Sequence, residues 1–262
     1  MEAPRTGGGV ISGFVTLLLV VIALLLIYYG FMFFYGTSTD KGVVIESSQI
    51  TANQGVKAYT NQAPIYEGGE YSVNLWVYIG GWNYKQGTRK HVLQLGGTNF
   101  ATLLVALGSY TNSLSVRVDT IDASGTPLGV SGNGLSSTDI TNFFKPLTPD
   151  ASLDHESTCD VPKIDMQRWI QVTVVLNGKT CDVYMDGKLE RSCVLPSYFK
   201  VDPTGQSVKI ADRGGFDGYV ASVSTYNYSL NPATIYNMYM AGPSGPASNI
   251  LTYFTSFFSK PK

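Results

Sequence analysis

Charged side chains are scarce in this sequence. The 18 basic and 19 acidic residues make up 14% of the chain, and the formal net charge is −1. An ordinary soluble domain has about 25% charged residues. Because the two signs nearly balance, the chain has no field that would attract a polyanion, which excludes a nucleic-acid binder that depends on bulk charge. The low charge also excludes a disordered polyelectrolyte.

Part of this scarcity lies in one segment, because no charged residue occurs between Arg5 and Asp40. Residues 13–35 are almost entirely apolar, and a helix needs roughly 20 such residues to cross a bilayer. We therefore predict a transmembrane helix at 13–35, preceded by a flexible N-terminus at 1–12 and followed by a linker at 36–42. A cleaved signal peptide is the alternative, but its apolar run is shorter and ends in small residues.

Residues 43–241 have a different pattern. Short alternating or β-branched runs are separated by Gly, Asn, Asp and Pro, which is typical of an all-β sandwich. Asp186-Gly187 is a hairpin signal, since both residues tolerate the positive φ of a tight turn. Residues 120–165 are dense in Gly, Ser, Thr, Asp and Pro, so we predict a loop-rich insertion there.

The last segment, 242–262, contains an apolar stripe. Its members recur at the spacing of one helix face and are Ile250, Leu251, Phe254, Phe257 and Phe258. Such a stripe packs on its own domain, lies in a membrane interface or fills a groove on a partner. We predict an amphipathic tail and treat these residues as candidate partner contacts.

Several segments in the middle of the chain carry a family resemblance. They are Tyr71–Val77, Trp169–Val175, Val183–Gly187, Val208–Ile210, Phe216–Val220, Tyr226–Pro232 and Ile235–Tyr239. In this order, they resemble the laminin-G-like, concanavalin A-like lectin/glucanase jelly rolls over roughly residues 42–242. The resemblance implies an antiparallel jelly-roll β-sandwich with a short C-terminal helix. Many members have an acidic pair in the last strand where this chain has Ala221 and Ser222, so no calcium site is carried over.

Catalytic and metal-binding residues are few. Enzymes of this fold cleave glycans with two carboxylates closely spaced on one strand, and none of the six Glu residues has that spacing to a second carboxylate. The densest polar segment, Asp154–Asp160, contains His155 and Cys159, but the only other histidine, His91, is distant in the sequence. Because a zinc site needs four ligands, or three and a water, we interpret this segment as a solvated loop. We predict no enzyme activity, no metal and no cofactor.

Three cysteines leave one unpaired if a single bridge forms. Cys181 and Cys193 lie at comparable distances from the Asp186-Gly187 turn. A three-residue or bulged loop would set them opposite each other, so we predict a cross-strand disulfide between them. A bridge from Cys159 to either residue, or three free thiols, are the alternatives. Asn227 is the only N-glycosylation acceptor, and both modifications require an oxidising lumen or the cell exterior.

Aromatic residues in loops are the remaining candidates for ligand binding. Trp82 and Tyr84 follow Gly80-Gly81, and Tyr110 lies between two predicted strands. Rigid rings on sandwich loops stack on sugar faces or anchor protein interfaces, and the alternative is that they cap the core.

Together these features predict a non-enzymatic, single-pass membrane protein with a jelly-roll interaction domain. The module behind its anchor also resembles virion proteins of large DNA viruses, which implies a structural tether: a minor capsid component that links an internal membrane to the capsid. A membrane-anchored glycan-binding adhesin at the cell surface is the alternative, and a glycan hydrolase is the least favoured. The expected partners are the lipid bilayer, capsid or surface proteins and glycans, without nucleic acid.

Overall fold

The chain divides into two compact units, Met1–Asp40 and Lys41–Lys262. A computed structural model describes residues 8–35, 42–55, 57–60, 69–121, 127–129, 135–149 and 159–243 of these units. The apolar stripe predicted at 250–258 lies outside the described residues.

The first unit contains one helix, α1, which runs from Gly8 to Tyr35 over 28 residues. It begins at Gly8, so residues 8–12, which we predicted as part of a flexible N-terminus, are helical. Its leucines are exposed, with Leu17, Leu24 and Leu26 at 63%, 61% and 68%. Across the described residues, we find no helix that is long and apolar enough to cross a membrane. The transmembrane assignment of residues 13–35 stays a prediction.

The second unit is an all-β antiparallel sandwich with a short C-terminal helix, as predicted. The first sheet has the order β1 (Gly42–Glu46), β13 (Gly218–Tyr226), β4 (Glu70–Ile79), β9 (Trp169–Asn177), β10 (Thr180–Met185) and β11 (Lys188–Val194), with β2 (Ile50–Thr51) paired to β13. The second sheet has the order β3 (Lys57–Thr60), β12 (Ser207–Ile210), β5 (Lys90–Gly96), β6 (Ala101–Leu107), β7 (Leu114–Ile121) and β8 (Pro127–Gly129).

The core fills the space between the two sheets. Strands supply inward side chains at every second position, such as Val73 and Leu75 from β4 and Val105 from β6, and all three are fully buried. In β4, one of the short alternating runs of residues 43–241, alternate side chains therefore enter the core. Its other residues point to the outer face of the first sheet.

Two helices lie on the outer faces of the sheets. On the first sheet, α3 (Pro232–Ala241) begins where the Asn231 side chain accepts a hydrogen bond from the Thr234 N–H, and it stacks Tyr239 on Trp76 with ring centroids 5.9 Å apart. On the second sheet, α2 (Ser137–Phe143) packs with Leu104 through Ile140.

The predicted insertion is joined to the second sheet by a buried ion pair. Arg117 on β7 is 3% exposed and Asp160 is 6% exposed. Their contact is bidentate, with Arg117 Nη2 2.9 Å from Asp160 Oδ2 and Nη1 bonded to Oδ1. The Val116 N–H also donates to Oδ1 at 3.1 Å. The insertion is therefore less loop-rich than its composition predicts, because it contains α2 and an anchored segment.

The predicted disulfide between Cys181 and Cys193 is wrong. These residues do lie opposite each other on β10 and β11, because a bulge between Val183 and Tyr184 shifts the register of the hairpin by one residue. However, Cys193 is bonded to Cys159, with a Cα–Cα distance of 5.5 Å, and Cys181 is a buried free thiol. The reason is that the adjacent Asp160 anchor brings Cys159 within reach of Cys193, so the three sulfurs lie within 4.8 Å of one another. Burial raises the pKa of the Cys181 thiol to about 12.

The ion pair leads to a prediction about stability. Asp160→Asn should lower the free energy of unfolding by about 3 to 5 kcal/mol, because Arg117 would stay buried without its carboxylate. Replacing both partners by apolar residues, Arg117→Met with Asp160→Leu, should recover most of that loss. Urea denaturation of residues 41–262 measures both changes.

The control for this prediction is Arg168, whose ion pairs are at the surface. Its side chain is 46% exposed and contacts Asp165 and Asp186. Arg168→Met should cost less than about 1 kcal/mol, as exposed pairs usually do. Equal losses for Asp160→Asn and Arg168→Met would contradict our account of the anchor.

Candidate functional site

A row of three aromatic side chains crosses the outer face of the first sheet. Tyr219 on β13 lies opposite Tyr78 on β4, and Tyr78 lies opposite Trp169 on β9. Their neighbours in sequence, including Val77, Ile170 and Val220, enter the core. Alternation along each strand therefore directs all three rings outward. We call these three residues the aromatic row.

The rings of the aromatic row touch one another and remain open to solvent. The Tyr78 centroid is 5.7 Å from that of Trp169 and 5.9 Å from that of Tyr219, with planes inclined at 59° and 50°. Tyr219 is 36% exposed, and Tyr78 and Trp169 are half-buried. Trp76, two residues before Tyr78 on the same face, lies under Tyr239 of α3 and is 4% exposed. The cover that α3 gives to this face thus ends before the row.

An ionic group holds the Trp169 end of the row. Arg168 Nη2 is 2.7 Å from Asp165 Oδ2 and 2.6 Å from Asp186 Oδ2, and Nη1 donates to the Trp169 carbonyl at 3.1 Å. The pKa of the Arg168 guanidinium is raised, mainly by its hydrogen bond to Asp186 and further by its hydrogen bond to Asp165. The Gln171 N–H donates to Asp186 Oδ1 at 3.0 Å, which ties the group to β9.

The structure places the predicted loop aromatics differently from the row. Trp82 is half-buried and packs against the main core, with Lys90 Nζ 4.7 Å from its ring centroid. The Tyr84 hydroxyl donates to the Gly214 carbonyl at 3.0 Å, and the Tyr110 hydroxyl donates to the Leu147 carbonyl at 2.9 Å. These contacts match the alternative in which the rings cap the core and join loops. Ligand binding by Trp82, Tyr84 and Tyr110 stays a prediction.

A polar cleft lies on the outer face of the second sheet, next to α2. Its volume is about 110 Å³. Cationic, acidic, amide and hydroxyl side chains line it, among them Gln94, Asn99, Ser137, Lys209, Asp212 and Arg213. A second cavity, beside Tyr71 and Asp202, has a volume of about 10 Å³ and is lined by more apolar surface. A cavity of this size holds about one water molecule, so it offers no room for a ligand.

Potential metal ligands converge at one place in the described part of the chain. They are the sulfurs of Cys159, Cys181 and Cys193, of which two are joined in the disulfide. His91 is buried, and its Nδ1 accepts the Asp212 N–H at 3.1 Å. Burial is the largest effect on its pKa, which is lowered to about 4, so the imidazole is neutral at pH 7. His155 lies outside the described residues.

The fold and the sequence define the family of the chain. The model of the concanavalin A-like lectin/glucanases superfamily matches residues 51–236. The chain therefore belongs to this superfamily, which its resemblance to laminin-G-like jelly rolls predicted. Among the curated proteins, none matches the chain.

Solved structures with a similar fold include binding domains of botulinum neurotoxins. The serotype G binding domain is 14% identical, with a TM-score of 0.43 over 78% of this chain and 47% of that chain. The serotype D ligand-binding domain in complex with N-acetylneuraminic acid is 15% identical, with a TM-score of 0.42 over 77% and 42%. The DC binding domain in complex with SialylT is 12% identical, with a TM-score of 0.45 over 78% and 43%. This chain spans less than half the length of these structures, and the likeness is one of fold alone.

The burial of Lys90 against Trp82 leads to a prediction about how the stability of the fold depends on pH. Lys90 is 1% exposed and donates to the Gly108 and Ser109 carbonyls, and burial lowers its pKa from 10.5 to about 8. The unfolded chain therefore binds more protons than the folded chain between these pH values, and this lysine favours folding more as pH rises. Relative to Lys90→Met, the wild-type protein should gain stability between pH 8 and 10.5.

Urea denaturation of both proteins at a series of pH values measures this difference. Subtracting the free energy of unfolding of Lys90→Met from that of the wild type cancels the contributions of groups that titrate in both proteins, such as Cys181 and the buried tyrosines. Lys188→Met, which replaces an exposed lysine on β11, is the control for the loss of one lysine. A stability difference between the wild type and Lys90→Met that stays constant across this pH range would contradict the prediction.

Proposed function

We propose that this protein is a membrane-anchored, non-enzymatic recognition module that binds carbohydrate on the aromatic row. The observation that carries the proposal is the continuous row of Tyr219, Tyr78 and Trp169, open to solvent on three adjacent strands. The faces of aromatic rings attract the C–H groups of sugar rings and bury much area at low entropy cost. The membership of the chain in a superfamily of lectins and glucanases also supports a carbohydrate ligand.

The shape of the aromatic row favours a short, flexible oligosaccharide. Two interstrand spacings give the row a length of about 10 Å. Because its planes are inclined at 50° and 59°, the row is stepped rather than flat, so it suits separate sugar rings better than a crystalline glycan surface. No described residue bonds the hydroxyls of Tyr78 or Tyr219, which leaves them to contact sugar hydroxyls. Arg168 and Asp165 add charged groups at one end.

A binding role without catalysis agrees with the surroundings of the described glutamates. Glu70 accepts a hydrogen bond from the Ser229 N–H at 3.0 Å, and Glu46 accepts from Ser48 and Tyr59. Glycan hydrolysis needs two carboxylates that face one bond of the substrate, about 5 to 9.5 Å apart. The aromatic row has Asp165 and Asp186 beside it, and both are bound to Arg168.

The membrane anchor in this proposal is residues 13–35, within α1. Its support is the absence of charge from this segment and its length, which exceeds the roughly 20 apolar residues that a spanning helix needs. A single-pass anchor would hold the sandwich at a bilayer surface.

A structural tether is the second candidate function. In this form the module would link an internal membrane to the capsid of a large DNA virus and bind protein instead of glycan. The observation that favours it is the exposure of apolar side chains on β11 and α3, with Val194 at 79% and Met240 at 65%. A stoichiometric complex with a shell protein in gently solubilised membranes, together with absence of glycan binding, would favour the tether.

We expect the full chain to bind lipid through α1. The chain should float with phosphatidylcholine liposomes on a density gradient, whereas residues 41–262 should stay at the bottom. The variant Leu19→Arg with Leu24→Arg should lose flotation, because each arginine near the centre of a spanning helix costs about 2.5 to 3.5 kcal/mol. Flotation of the 41–262 fragment, or unchanged flotation of the double variant, would contradict the anchor.

The aromatic row predicts which substitutions weaken glycan binding. On a glycan array, Trp169→Ala and Tyr219→Ala should each weaken binding of the wild-type ligand by roughly tenfold, the equivalent of about 1.4 kcal/mol of lost stacking. Tyr198→Ala, on a tyrosine that is 59% exposed and remote from the row in sequence, is the matched control and should bind normally. A loss confined to Trp82→Ala or Tyr84→Ala would instead place the ligand on the predicted loop site.

A further inference from the structure

We infer that the polar cleft beside α2 is a second binding site, which takes a carboxylate-bearing sugar and acts independently of the aromatic row. The inference goes beyond the proposed function, because the cleft is on the other sheet and has a different chemistry. It rests on the two cations, the amide and hydroxyl groups and the volume of the cleft.

The floor of the cleft is formed by two paired strands. Lys209 on β12 lies opposite Gln94 on β5. Both side chains point away from the core, since their neighbours Val208, Ile210 and Leu95 are buried in it. The register of the second sheet therefore sets an ammonium group next to an amide on the outer face.

The two cations in the cleft are only partly neutralised. In the described part of the chain, no carboxylate lies within ion-pair distance of Lys209. Arg213 Nη2 donates to Thr141 Oγ1 at 3.3 Å, and its guanidinium lies 5.6 Å from the Phe144 ring centroid. These contacts hold Arg213 against α2 without neutralising its charge. Asp212 is the acidic residue of the lining, and its Oδ1 accepts the Arg213 N–H at 2.6 Å.

The neutral groups in the cleft match a ligand rich in hydroxyls. Asn99 Nδ2 donates to Thr204 Oγ1 at 3.1 Å and to Asp202 Oδ1 at 3.4 Å, so the orientation of this amide is fixed. Asn99, Gln94 and Ser137 line the same cleft as the cations. A carboxylate would bind Lys209 and Arg213, and ring hydroxyls would bind the amides and the hydroxyl. A compact acidic sugar combines both features.

Backbone hydrogen bonds and a helix cap hold the walls of the cleft in place. The Ala101 N–H donates to the Leu135 carbonyl at 2.9 Å, and Phe100 bridges to Ser136. Ser136 and Asp139 form a capping box at the start of α2. A pre-formed cleft loses little entropy when a ligand binds. Its volume of about 110 Å³ is several times the roughly 10 to 15 Å³ that one water needs by the same measure, so it has room for more than one solvent molecule.

Binding of free acidic sugars to the full chain in detergent micelles tests the inference. Glucuronic acid and N-acetylneuraminic acid are the probes, glucose is the neutral comparison and inorganic phosphate is the simple anion, all measured by titration calorimetry. We expect an acidic sugar to bind at least about tenfold more tightly than glucose or phosphate. Lys209→Gln and Arg213→Gln should each weaken that binding by about tenfold or more, since each removes a charge-assisted hydrogen bond.

Controls separate this site from others on the sandwich. Lys188→Gln and Arg191→Gln remove exposed cations from β11 and should leave binding unchanged. Thermal melting of each variant verifies that it is folded. Acidic-sugar binding that is lost in Trp169→Ala and survives both cleft substitutions would place the sugar on the aromatic row, so that failure of the aromatic row and failure of the cleft are distinguishable.

Four outcomes would overturn the inference. They are binding of glucose as tight as that of the acidic sugars, binding of phosphate as tight as that of the acidic sugars, no binding of either acidic sugar, and acidic-sugar binding that survives both cleft substitutions.

Discussion

Each residue that enters the core of an antiparallel sandwich directs its neighbours outward, and this constraint places both candidate sites. Burial of Val77, Ile170 and Val220 forces Tyr78, Trp169 and Tyr219 to the outside of the first sheet. On the second sheet, burial of Val208 and Ile210 does the same for Lys209. Because a slip of one residue in register would turn these side chains inward, the packing of the core also protects the two surfaces.

The fold was largely predictable because its signals are local. Alternation in β4 and the Asp186-Gly187 turn depend on neighbouring residues. The turn alone would set Cys181 opposite Ser192, and a bulge between Val183 and Tyr184 shifts the register to Cys193. The disulfide partner was not predictable from these signals. Cys159 reaches Cys193 through the Arg117–Asp160 anchor, which joins residues that are distant in sequence.

The aromatic row was missed for a similar reason. Its three residues lie within strands, where an aromatic side chain is as often buried as exposed, and their contact depends on the pairing of β13, β4 and β9. Alternation separates the two faces of a strand without showing which face is open to solvent. Loop position indicated Trp82, Tyr84 and Tyr110 instead, whose polar atoms or rings face the protein. The cleft requires α2, whose Ser136 to Asp139 spacing is a capping signal within a segment of loop-like composition.

The two sheets lie back to back, so the aromatic row and the polar cleft face in opposite directions. The core between the sheets is about 10 Å thick, and a short ligand on one face cannot reach the other. If both faces bind carbohydrate, the module is bivalent and can cross-link two glycan molecules, one on each side. Several copies held side by side on one surface would then bind a branched or repeating ligand with an avidity far above that of either site.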